Sequence, residues 1–199
     1  GVIRAIGDPA ARFAEDKLRM LRAVRFSATL GFSIELATLE AVRRMASRIT
    51  VVSPERIAAE IERMLVDRHR AMAVRLVLDA GLAPAVLPEV VGQGDEHGRR
   101  LEGALEVMER LCEPGFPLAL AALLCRLVDA QAARAVCRRW RLSNHRTDRT
   151  GWLVEHHEAL RGARAMRWSA LQKLLIHEGI EDLLALGEES ASQLGVDVE

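Results

Sequence analysis

Apolar and small side chains recur along the opening stretch at Phe13, Leu18, Leu21, Val24 and Ala28, close to the period of a helix. Asp8-Pro9 opens that pattern, since Asp can cap and Pro suits a first turn, and Gly31 closes it. One helix is predicted between them. A second is predicted from about Leu36 to Arg48, and Ser53-Pro54-Glu55-Arg56, with Ser53 as the cap, opens a third to about Leu65. Val74 to Ala80 continues the pattern, and Gly81 has the place of a left-handed cap. Further helices are predicted at about 99–111, 117–128, 130–141, 144–161, 168–177 and 180–193. No segment alternates over strand length, so no sheet is predicted and the fold class is all-α. Pro84, Pro88, Gly92, Gly94 and Gly98 punctuate the middle, which divides the chain into 1–88 and 89–199.

Composition narrows the classes. Half of the 199 residues are hydrophobic, yet no apolar run reaches membrane-spanning length, so no membrane span is expected. The opening Gly-Val-Ile-Arg is not a signal peptide and lacks an initiator Met, which reads as a piece of a longer chain. Cys112, Cys125 and Cys137 are too scattered for a disulfide framework and suit a reducing cytoplasm. Lys and Arg balance Asp and Glu at 28 each, but unevenly. Residues 1–70 carry 13 basic and 9 acidic side chains; residues 178–199 carry seven acidic ones and no Lys or Arg. A basic front suits an anionic partner such as a nucleotide or RNA backbone, and also ordinary surface charge.

Candidate chemistry concentrates in Ile3-Arg4-Ala5-Ile6-Gly7-Asp8-Pro9 and in Arg12 to Phe26. Asp16, Arg19, Arg22 and Arg25 lie three apart, which on one helix makes a ridge of touching neighbours. A carboxylate beside a guanidinium offers acceptors and a planar donor fork, enough to hydrogen-bond the edge of a base. Arg22 and Arg25 could hold phosphates bidentately. The same spacing also suits a solvated face of salt bridges. Arg56 and Glu60 lie one turn apart and are expected to pair. His156 and His157 are adjacent, pointing about 100° apart on a helix, and so are poor partners for one metal ion. Trp140, Trp152 and Trp168, interleaved with Arg138, Arg139, Arg141, Arg161, Arg164 and Arg167, suit either RNA stacking or helix packing.

The string from Ile3 to Phe26 resembles the passage from head to neck in bacterial tRNA nucleotidyltransferases (CCA-adding enzymes) and their poly(A) polymerase relatives. Lys17 departs from the usual Pro there. The resemblance implies that Asp16 and Arg19, with Glu15 in the same motif, read the incoming CTP or ATP, and that Arg22 and Arg25 contact the nucleotide. Ser53 to Glu60 is similar to the next neck motif, which implies that Arg56 and Glu60 orient the reading helix. Residues 1–88 would then be the neck and 89–199 a helical body. The implied function is CMP and AMP addition to the 3′ end of tRNA or another RNA, in the cytoplasm. CCA addition, A-only addition, poly(A) tailing and a non-catalytic RNA-binding module stay open.

In that family the head supplies Mg²⁺ through a Gly-Ser motif and an Asp-x-Asp pair. This sequence has no such arrangement, and Asp197-Val198-Glu199 lacks the context, so the chain alone is expected to be inactive, with no catalytic residue and no metal ligand of its own. The stretches around Leu101 and Phe116 to Arg126 resemble a His-Asp-type phosphohydrolase scaffold. Gly103 stands where a His is expected and Cys125-Arg126 where the His-Asp pair is, which implies a degenerate, metal-free copy.

Overall fold

A computed structural model describes residues 1–192, without the side chains of Arg164 and 188–192; Asp197, Glu199 and the end of the acidic tail lie outside the described residues. The chain forms two units, Gly1–Gln93 with Arg139–Leu142, and Gly94–Arg138 with the residues from Ser143 onward.

The first unit opens with β1 (Val2–Ile3), α1 (Pro9–Glu15) and α2 (Leu18–Leu30). β2 (Ser33–Ile34), α3 (Leu36–Met45) and a 3-10 turn at Ala46–Val51 follow. Then come α4 (Pro54–Leu65), α5 (Arg70–Asp79) and the single turn α6 (Ala83–Val86). The core forms where α2 packs on α4 and α5. α2 buries Leu18, Met20, Leu21, Ala23, Val24, Ser27 and Ala28, one continuous stripe at helical spacing. Each large apolar side chain taken from water there contributes roughly 1.5–3 kcal/mol.

Three expectations are corrected. The predicted single helix is two: Asp16 is extended (φ −145°, ψ 107°), and the helix restarts at Leu18. The Asp16 side chain causes this, because its Oδ1 accepts from the Leu18 amide at 3.1 Å and competes with helical pairing. Second, a sheet exists, a parallel pair of Val2–Ile3 with Ser33–Ile34. Two residues per strand are too few to show alternation. Third, Ser53 makes no side-chain cap; Pro54 alone sets the first turn of α4.

Gly31 lets α2 end and the chain turn back to β2. Its φ of 64° is left-handed, and Phe32 N donates to Ser27 O at 3.0 Å across the turn. Asp8 caps α1, accepting from the amides of Ala10 and Ala11.

The second unit contains α7 (Gly94–Arg110), α8 (Phe116–Leu124), α9 (Ala130–Arg139) and α10 (Asn144–His156). A 3-10 stretch at Ala159–Ala165, α11 (Trp168–Leu175) and α12 (Ile180–Ser192) complete it. α8 is apolar on every side and buried along almost its whole length, so it forms the axis on which α7, α10 and α12 pack. No helix among the described residues is long and apolar enough to cross a membrane.

Candidate functional site

The break at Asp16 organises the site. Because α1 stops at Glu15, its last carbonyls have no partner within the helix. Cations from the following segment take two of them: Lys17 Nζ donates to Ala14 O at 2.5 Å, and Arg19 Nη1 donates to Arg12 O at 3.0 Å. Glu15 Oε2 accepts from Arg19 Nη1 at 2.5 Å and from Arg12 Nη1 at 2.7 Å. Both anchors of Arg19 thus fall on one nitrogen, and among the described residues Nε and Nη2 have no partner. The Arg19 hydrogen bond, with the charge of Arg12 beside it, holds the Glu15 carboxyl below its ordinary range.

Asp16 is fixed from two directions. Oδ1 accepts from Leu18 N, and Oδ2 accepts from Arg56 Nη2 at 3.0 Å. Partial burial pushes its carboxyl upward, but those hydrogen bonds and the nearby guanidinium charges outweigh it and leave it lowered.

The expected Arg56–Glu60 pair does not form. α4 packs on α2, so Arg56 pairs outside its own helix, and Glu60 meets Arg25 of α2 as well as Arg63 one turn along α4. Arg56 takes Asp16, while Glu60, with only 4% of its side chain exposed, lies 2.8 Å from Arg25 Nε and 2.9 Å from Arg63 Nη1. Arg22 Nε stands further off, at 3.9 Å. The Arg25 contact has ion-pair distance without hydrogen-bond alignment. Arg25 is mostly buried, and its guanidinium lies 4.3 Å from the Phe26 ring centre.

A concavity of about 310 Å³ opens beside this array. Arg4, Arg12, Arg19 and Arg22 line it, together with Phe13 and Phe26. Of the residues singled out from sequence, Arg19 and Arg22 therefore reach it, whereas Asp16 and Arg25 are not in its wall. Arg4 and Arg12 are additions; both stand within the motif string, but their spacing gave no reason to single them out.

Elsewhere the sequence candidates separate. Trp140 is buried and its indole N–H donates to Val86 O at 3.3 Å. Trp152 stacks on His177 at 3.7 Å and on His156 at 4.9 Å. Trp168 is exposed. Arg139 binds Glu89 through both terminal nitrogens at 2.8 Å, Arg141 pairs with Glu55, and Arg161 pairs with Glu158. Trp140 is thus closed to a base, and Trp152 is engaged with two imidazoles. His156 and His157 each direct Nδ1 to a backbone carbonyl. In the second unit a Cβ added to Gly103 would meet Arg126 Nη1 at 2.7 Å, so a guanidinium fills the space beside residue 103. Cys125 is buried and its thiol is pushed up to about 12, which keeps it neutral.

A family model described as "Probable RNA and SrmB- binding site of polymerase A" matches residues 31–92. The CCA-adding enzyme of Geobacillus thermodenitrificans is 34% identical over 158 residues, covering 77% of this chain. The chain belongs to the CCA-adding enzyme and poly(A) polymerase family. It spans 36% of the length of that relative. The crystal structure of the Bacillus stearothermophilus CCA-adding enzyme in complex with CTP matches with a TM-score of 0.73 and 27% identity, over 98% of this chain and 47% of that one. A CCA-adding enzyme solved with ATP shares the fold, with a TM-score of 0.67 at 18% identity, over 96% of this chain and 47% of that one. Within the family the chain covers the helical neck and body.

Proposed function

We propose that this chain is the nucleotide-selecting and RNA-binding portion of a template-independent nucleotidyltransferase that adds CMP and AMP to tRNA 3′ ends. The observation that carries the reading is the fixed pair at the helix break. Asp16 presents a carboxylate held by Leu18 and Arg56, and three residues on Arg19 keeps Nε and Nη2 without partners among the described residues, beside the concavity. Cytosine and adenine share an edge on which an amino group adjoins a bare ring nitrogen. A carboxylate accepts from the first and a guanidinium donates to the second. Uracil and guanine carry a carbonyl and an N–H in those places, so the carboxylate would face an acceptor and the guanidinium a donor. Half-exposed Arg22 is the candidate for phosphate, and Arg25 acts through Glu60 to hold α2 on α4.

Nucleotidyl transfer needs Mg²⁺, which offsets charge on the phosphates. Among the described residues there is no group of three His, Cys, Asp or Glu that could hold a metal ion. In this reading the chain selects the base, a head-type domain carries the chemistry, and the chain alone adds no nucleotide. Its place of action is the cytoplasm. A-only addition and poly(A) tailing use the same base edge of adenine. The family model's description supports RNA binding by residues 31–92.

Calorimetric titration of the chain with CTP, ATP, UTP and GTP tests the reading. Binding of CTP and ATP in preference to UTP and GTP is expected, with loss of that preference in Asp16→Ala and Arg19→Ala. Equal binding of all four nucleotides would refute it.

A further inference from the structure

Arg19 can serve a base only if its donors stay free, and its nearest carboxylate threatens them. Glu15 is on the solvent side, about half exposed, and lies four residues before Arg19. A carboxylate in that position ordinarily grips a guanidinium with both oxygens, fork to fork. Such a grip would consume Nη2 or Nε as well as Nη1. The structure shows a different arrangement, in which a single oxygen, Oε2, is shared between Arg19 Nη1 and Arg12 Nη1. The Arg12 carbonyl, orphaned where α1 ends, takes the other bond from the same Arg19 nitrogen.

We infer that Arg12 is a positioning residue for base selection: its guanidinium holds Glu15 to a one-oxygen contact with Arg19, leaving Nε and Nη2 of Arg19 to face the nucleotide. This rests on the proposed base-reading role of Arg19. Arg12 itself lines the same concavity, so its removal changes the site locally. The three side chains are 35–53% exposed, so their ion pairs contribute little to stability, and the role is one of geometry.

The test uses the chain and four variants: Arg12→Gln, Arg12→Lys, Arg12→Gln with Glu15→Gln, and Arg19→Ala. Titration with CTP and UTP is one arm. NMR of the Arg19 Nε–H signal without nucleotide is the other. In Arg12→Gln, Glu15 is expected to close on Arg19 with both oxygens. The Nε–H signal then shifts, and CTP affinity and the CTP-over-UTP ratio fall about fivefold or more, the scale of one charge-assisted hydrogen bond. Arg12→Lys keeps a cation on Oε2 and retains the ratio. The double variant removes the competing carboxylate charge and recovers most of the CTP affinity, which a merely structural role for Arg12 would not produce. An unshifted Nε–H signal in Arg12→Gln, or a double variant no better than the single one, overturns the inference. Arg19→Ala binding CTP as the unmodified chain does would instead sink the base-reading role, while the NMR arm still decides whether Arg12 positions Arg19.

Discussion

Glu60 is a buried carboxylate facing three guanidinium groups, and its removal would leave Arg25 and Arg63 without their counter-charge. Glu60→Ala is expected to lower stability by about 3 kcal/mol, read as a shift of the urea midpoint at constant slope. Asp16 is linked to pH in a definite sense. Its folded-state pKa is depressed, so the stability it contributes is present above the unfolded value of about 3.9 and is lost as pH falls through the lower folded value. Urea midpoints measured between neutral pH and about pH 3 should fall less steeply in Arg56→Ala, where one cause of the depression is gone. The sequence singled out Asp16 and Arg19 as candidates through their spacing and the string around them, and the structure brings both to the helix break. It did not expose the exchange of partners between Arg56 and Glu60, because that depends on how α4 packs on α2.

At the level of elements, the break between α1 and α2 was hidden from the pattern. The apolar period runs on through Phe13, Leu18 and Leu21, so a reading by period alone joins the two helices. Only the local chemistry of Asp16 separates them. Lys17 has φ −64° and follows an extended residue, the geometry proline prefers on both counts. Lys17→Pro should therefore be accepted, with a gain of about 0.5 kcal/mol from the stiffer unfolded chain, reduced by loss of the exposed Lys17–Ala14 contact. Differential scanning calorimetry showing a loss above about 1 kcal/mol would contradict this account of the break. The end of α2 was legible, since a glycine in the left-handed region is a chemical signature. A Cβ at Gly31 meets no atom within 4 Å, so Gly31→Ala should cost only backbone strain, about 1 kcal/mol by thermal melting. The β1–β2 pair was not legible, being too short to carry a period.

Over the whole molecule, the all-α class followed from periodicity, and the Pro- and Gly-bearing middle suggested a division at 88. The first unit runs on to Gln93 and then regains Arg139–Leu142 from the end of α9. Nothing in the sequence marks that return, because Arg139 and Trp140 simply continue a basic helical pattern. The burial of the cysteines gives a measurable contrast. Cys112 is exposed, whereas Cys125 and Cys137 are buried with their thiols pushed up by desolvation. Near pH 8 a thiol reagent should label Cys112 at once and the other two only as fast as the second unit opens. Rapid labelling of all three would mean that α8 and α9 are not packed as described.

The return of Arg139–Leu142 also governs the order of events during synthesis. Trp140, which is buried and bonded to Val86 in the first unit, is made only after all of α7 to α9 has been translated. The amino-terminal unit therefore cannot be completed as it leaves the ribosome, although domains ordinarily fold in that order. Nascent chains arrested with residues up to 93 outside the exit tunnel and residues 94–142 not yet emerged should leave that unit protease-sensitive, and its protection should rise once Leu142 has emerged.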